Sequence, residues 1–292
     1  MDALGMADVP VGIGSAGGVT GDIEVEVYDA DYSRASPSIY ENGMELVYRA
    51  LESVPERSAQ LLCMASLSDV ATLIQDQEDL FTSKVKEVVL MGGVVSLDSE
   101  ILTPDSAYNN NCDISSARFV YKRCQELNIP TATLSRWAAY GCPIPPKLLD
   151  DLSKTEHMVS LNVRSVSKLG IDQLWNKVIL HPTDPRREML PSRCDVNWFC
   201  RVFMGKSEIN QEWPSSVWSL VTKLNMYDPL AVLLCVPAYR TAHFNWQTKV
   251  VNDVPHIVVG TSELDTGIRN RLSLFSEYSS LFFSAFLDSL HK

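Results

Sequence analysis

Short runs of continuous apolar residues alternate along this chain with segments whose apolar positions recur every three or four residues. Runs at 59–64, 88–91, 131–135 and 256–260 read as buried strands, and 9–14 as a shorter one. Between them the period turns helical. At 39–53 Met44, Val47, Tyr48 and Leu51 share a face. At 66–75, with Ser68 as its expected cap, Val70, Ala71, Leu73 and Ile74 point inward. At 113–127 Ala117, Val120, Tyr121, Cys124 and Leu127 form the apolar stripe, and Asp113 is placed to cap the helix. Further helices are expected at 144–152, 164–175, 193–204 and 214–224. A last one carries Phe275, Tyr278, Leu281, Phe282, Ala285 and Phe286. Residues 1–8 resemble the tail of a helix. This alternation predicts an α/β fold, a Rossmann-like open and mostly parallel sheet with helices on both faces, in one domain over 1–292.

The stretch 84–113 organises the rest. Its strand, Val88-Val89-Leu90-Met91, runs into Gly92-Gly93, where the backbone can turn tightly. A polar loop then leads to Asn109-Asn110-Asn111-Cys112-Asp113. Ligands in open α/β sheets bind beyond the carboxyl ends of the strands, so this loop belongs at the functional edge. Gly12 to Gly17 spell a literal GxGxxG, but no helical pattern follows to present its N-terminus to a pyrophosphate. The motif therefore reads as a glycine loop, not a dinucleotide site. The proline-rich segment 181–191 reads as a surface connection in preference to a lid.

Composition narrows the function classes. Twenty-five basic against 36 acidic residues leave a net charge of −11, which argues against a nucleic-acid partner. Seven cysteines, an odd number without a CxxC, suit a reducing, cytoplasmic setting, with Cys63 and Cys235 as small core residues. No apolar stretch is long enough to span a membrane. The five histidines show no zinc-ligand spacing, and no GxSxG elbow marks a serine hydrolase.

The run VKEVVLMGG, followed after a loop by AYNNNCDISSA, resembles the nucleoside hydrolases, the inosine–uridine-preferring N-ribohydrolases. LLCMASLSDVA and the segment Met226-Tyr227-Asp228-Pro229 match two further motifs of that family in the same order. The resemblance implies hydrolysis of the N-glycosidic bond of a nucleoside, with calcium as cofactor, a nucleoside or ribose-like ligand, and a homo-oligomer. Carried over residue by residue, it makes Asn109 a ribose ligand. Asp228 and the backbone carbonyl of Met64 become metal ligands, and Tyr227, standing in the place of a histidine, becomes the candidate acid. Asp228 followed by Pro229 also reads simply as a helix start. The chain departs from the family in three ways. Ala107 stands where a glutamate is expected, Tyr227 replaces the histidine, and the first βα unit with its aspartate cluster is missing. One carboxylate and one carbonyl fall short of the roughly six to eight oxygens calcium takes. Asp98 and Asp105 are expected to be solvated loop acids. Two readings follow: a hydrolase with impaired activity, or a non-catalytic binding protein on the same scaffold.

Overall fold

The computed structural model describes residues 8–17, 41–187, 190–206 and 216–289, with the side chains of the last helix described as far as residue 284. Residues 1–7 of the helix tail expected at the start of the chain lie outside the described residues, as do the side chains of Ala285 and Phe286 in the last stripe.

Gly12–Ile13 (β1) pairs in parallel with Glu41–Asn42 (β2), and Gly43–Glu52 (α1) follows, capped by the Asn42 side chain on the N–H groups of Met44 and Glu45. Then come Ala59–Cys63 (β3), Ser68–Asp76 (α2), Glu78–Lys84 (α3) and Val85–Gly92 (β4). Tyr108–Cys112 (α4), Ile114–Glu126 (α5), Thr131–Ser135 (β5) and Arg136–Gly141 (α6) follow. Lys147–Ser153 (α7), Met158–Val178 (α8) and Val196–Phe199 (α9) precede Asp228–Cys235 (α10) and Pro237–His243 (α11). Gln247–Val251 (β6), Val254–Val259 (β7) and Arg271–Ser289 (α12) complete the order.

The main sheet runs β3-β4-β5-β7-β6, parallel except for the antiparallel edge strand β6. Strand β4, inside the sheet between β3 and β5, is covered on both sides, as its apolar run Val88–Met91 requires. Successive side chains point to opposite faces. Val88 and Leu90 accordingly join a core with Leu73, Ile74, Phe81, Val120 and Tyr121 of α2, α3 and α5. Val89 and Met91 join the other core, with Leu149, Trp175, Phe199 and Leu230 of α7, α8, α9 and α10. Asp113 caps α5 as the sequence predicts, accepting hydrogen bonds from the Ser116 N–H at 2.9 Å and the Ser68 hydroxyl at 2.9 Å. Those bonds, the Ser116 hydroxyl first, lower its pKa.

Two local expectations change. Ser68 is not a cap: it is the first residue of α2, and its hydroxyl is turned towards Asp113 instead. Within the expected helix at 214–224 the described residues hold only one 3₁₀ turn, Trp218–Leu220, because Lys223 and Thr222 send their N–H groups to the Phe203 carbonyl. The GxGxxG segment opens no helix among the described residues. The Ser15 N–H donates to the Asp69 carboxylate at 3.0 Å, so a side-chain anion already occupies the loop.

Candidate functional site

The carboxyl ends of β3, β4 and β5 open onto one cavity of about 440 Å³. Met64, Met91, Gly92, Ala107, Asn109, Tyr227 and Asp228 all line it, so the four positions singled out in the sequence are brought together. Its remaining wall comes from Arg136 and Tyr140 on α6, from α8, and from the 187–203 segment.

Both glycines after Met91 are needed for close approach. A Cβ on Gly93 would lie 2.6 Å from both Asp105 carboxylate oxygens, and one on Gly92 3.0 Å from the Tyr121 hydroxyl. Asn110, buried behind them, donates to the Gly93 carbonyl at 3.2 Å. Asn109 faces the cavity from α4, a single turn absent from the sequence-based reading. Its amide donates to the carbonyls of Met64 at 3.1 Å and Met91 at 3.0 Å. The Met64 carbonyl, expected to be offered to a cation, is thus engaged by Asn109, whose side-chain oxygen is left as an acceptor.

Asp228 begins α10 and Pro229 follows it, so the helix starts here as the sequence reads, but Tyr227 holds the capping position and no side-chain cap bond forms. Asp228 keeps an open side, yet desolvation on the protein side raises its carboxyl above the ordinary value. Burial, then the neighbouring Tyr140, pushes the Tyr227 phenol well above its usual pKa. Tyr227 is therefore a weaker acid than a free tyrosine and acts as a neutral hydrogen-bonding group. The Tyr140 ring meets it edge-on at 6.4 Å, and the Trp198 indole donates to the Tyr140 hydroxyl at 3.2 Å.

Asp105 is not a solvated loop acid. Its side chain is 14% exposed, pairs with Arg136 at 2.5 Å and accepts the Ala107 N–H at 2.8 Å. Asp98 is exposed and stands outside the cavity wall. The 181–191 segment is no plain surface connection either: Arg187, Leu190 and Pro191 line the cavity. Arg187 is buried and donates to the Lys177, Val178 and Leu180 carbonyls at the end of α8, and to those of Pro191 and Cys194. A buried guanidinium closing a helix C-terminus satisfies the last carbonyls and opposes the negative end of the helix dipole.

The sequence reading missed the basic wall: Arg136, Lys177, Arg187 and Arg193 against the single carboxylate of Asp228. Arg136 carried a usable signal, since it directly follows the strand 131–135 at a carboxyl end. Among the described residues no group of three or more His, Cys, Asp or Glu converges to hold a metal. With one carboxylate, and with the Met64 carbonyl already accepting from Asn109, the donor set present does not fit a calcium ion. Nor is any helix among the described residues long and apolar enough to cross a membrane.

Comparison with known proteins supplies the lineage. No curated protein sequence matches. The crystal structure of the effector protein XOO4466 is 28% identical and superposes with a TM-score of 0.69 over 87% of this chain and 67% of that one. The type III effector protein XopQ, solved in complex with adenosine diphosphate ribose, gives 28% identity and a TM-score of 0.70 over 87% and 68%. An inosine-guanosine nucleoside hydrolase shares the fold at 15% identity, with a TM-score of 0.52 over 94% of this chain and 81% of its own. The family model for inosine-uridine preferring nucleoside hydrolases matches residues 2–269. The chain belongs to that family.

Proposed function

We propose that this protein binds a ribose-bearing nucleotide in the cavity at the β3–β5 strand ends and does not carry out calcium-dependent hydrolysis of nucleosides. The observation that carries this reading is the Asn109 amide spent on the Met64 and Met91 carbonyls beside a lone carboxylate, Asp228. The site offers acceptors for ribose hydroxyls, the Asn109 side-chain oxygen and the Asp228 carboxylate, with Tyr227 as a neutral hydrogen-bonding wall. It lacks the oxygen shell that would bind an ion and activate a water through it. The basic wall favours an anionic nucleotide over a neutral nucleoside. That XopQ, 28% identical, was solved with adenosine diphosphate ribose supports the same ligand class here.

A second reading is slow, metal-independent hydrolysis of the N-glycosidic bond with Asp228 as the base. The raised pKa of its carboxyl favours it, since a more basic carboxylate takes a proton from water more readily. In both readings residues 1–292 act as one domain, and a reducing, cytoplasmic compartment suits the seven free cysteines. A homo-oligomer is part of the same proposal, supported by the family likeness.

Two measurements test the proposal. Adenosine diphosphate ribose should raise the melting temperature, while calcium should not. Incubation with inosine, uridine or adenosine should release no free base, with calcium or with a chelator. Calcium-stimulated release at ordinary turnover, about 1 s⁻¹ or faster, would overturn it. Slow release independent of calcium and abolished by Asp228→Asn would favour the second reading.

A further inference from the structure

A second cavity of about 290 Å³ adjoins the first and shares Arg136, Tyr140, Arg193 and Trp198 with it. Beyond that shared wall its lining adds Arg201, Lys223, Asn225 and a single acid, Glu263. Four cationic side chains thus line it against one carboxylate in a chain whose net charge is −11, and one of the four, Arg136, is already paired with Asp105. Among the described residues neither Arg201 nor Lys223 has an ion-pair partner. The Asn225 amide nitrogen is buried with no hydrogen-bond partner. The buried amide is unfavourable without an acceptor, and the neighbouring cations repel one another. All of them are relieved by the same chemistry, an oxyanion.

The segments carrying these groups are fixed to one another. The N–H groups of Thr222 and Lys223 both donate to the Phe203 carbonyl, at 2.8 and 3.0 Å, and the Lys223 side chain lies across Gly205. Leu224, next to Asn225, pairs with Ile144 in a two-way bridge. Arg201 follows Trp198 on the same helical segment, so it is placed by a buried indole that also forms part of the shared wall.

We propose that this annex binds the phosphoryl group or groups of the nucleotide whose ribose occupies the main cavity, with Arg201, Lys223 and the Asn225 amide as donors beside Arg136 and Arg193. The inference rests on the ribose-nucleotide reading above and adds the place where the ligand's charge is held. Guanidinium forks match phosphate oxygens two at a time, and an ammonium adds a point charge.

The test is calorimetric titration of the full chain with adenosine, adenosine 5′-diphosphate and inorganic phosphate, for the wild type and for the Arg201→Gln/Lys223→Gln double variant. The wild type should bind the diphosphate at least about tenfold more tightly than adenosine, and the double variant should lose most of that difference while binding adenosine unchanged. Equal diphosphate affinity in the two proteins would overturn the annex. Phosphate bound by the wild type and lost in the double variant, with no adenosine bound by either, would keep the annex and overturn the ribose reading. No binding of any of the three by the wild type would overturn both. Circular dichroism and melting curves of the double variant establish that it is folded before it is titrated.

Discussion

The Asn109 amide joins two neighbouring strand ends by donating to the Met64 and Met91 carbonyls. Asn109→Ala leaves both carbonyls without that donor, and a loss of about 1–3 kcal/mol is expected from urea unfolding. Asn109→Asp should cost more, although it is nearly isosteric, because it sets a carboxylate against two carbonyl oxygens. An aspartate variant as stable as the alanine one would show that these bonds do not hold the loop. Asp105 makes a different bargain. Its ion pair with Arg136, the two side chains 14% and 20% exposed, lies between the surface and buried regimes. Asp105→Asn should therefore cost about 2 kcal/mol. Arg136 lines both cavities, and freeing it from Asp105 should also tighten binding of an anionic nucleotide. Unfolding and calorimetry on the same variant check both signs, and weaker binding would place the Arg136 charge outside the site's field.

Among the elements, the buried His256 links β7 to β5. Its Nδ1 accepts the Thr131 N–H at 3.2 Å, while its Nε2 is buried without a partner. Desolvation lowers its pKa to about 4 from the ordinary 6.5. A base held neutral in the fold contributes stability that is fully present above its unfolded pKa and is lost as pH falls from about 6.5 towards 4. The loss over that window is on the order of 3 kcal/mol. His256→Asn keeps a side-chain acceptor for Thr131 but cannot protonate there. Its unfolding free energy, followed by urea titration at several pH values, should be flatter over the window than the wild type's. An unchanged slope would assign the acid sensitivity elsewhere. The strands were legible because β5 and the 88–92 part of β4 are buried on both faces, which in β4 gives the continuous apolar run Val88–Met91. Edge strand β6, QTKVV, was missed because it is mostly solvated. Its hairpin signal was nevertheless there: Asn252 and Asp253 both adopt positive φ, 49° and 63°, as a two-residue turn demands. Helices α6 and α11, at six and seven residues, are too short to show a period and are started by a Ser135 cap and by Pro237. Of the site, the edge beyond β4 could be placed from the pattern, because a sheet's topology fixes where its carboxyl ends point, whereas Asn109, Tyr227 and Asp228, on α4 and at the start of α10, were legible only through the family motifs. The basic wall could not be read in full, because Arg187 and Arg193 come from the stretch between α8 and α9, whose contacts are tertiary.

At the scale of the whole molecule, a net charge of −11 and a basic double cavity oppose each other. Far from the surface an approaching nucleotide meets repulsion, and salt screens it. Inside the cavities the ligand lies within a few ångströms of the arginines, where attraction is strongest and where low-dielectric walls concentrate the field. Equilibrium affinity is set by the second environment, because the bound state is the one whose energy counts. Salt that screens partly exposed groups such as Arg193 and Arg201 must then weaken binding of an anion and leave a neutral ligand nearly untouched. Raising sodium chloride from about 0.05 to 0.5 M, which takes the Debye length from roughly 14 to 4 Å, should weaken adenosine 5′-diphosphate binding about tenfold and adenosine binding less than twofold. Affinity for the diphosphate that rises with salt would mean that the acidic exterior, not the basic interior, governs what this fold admits.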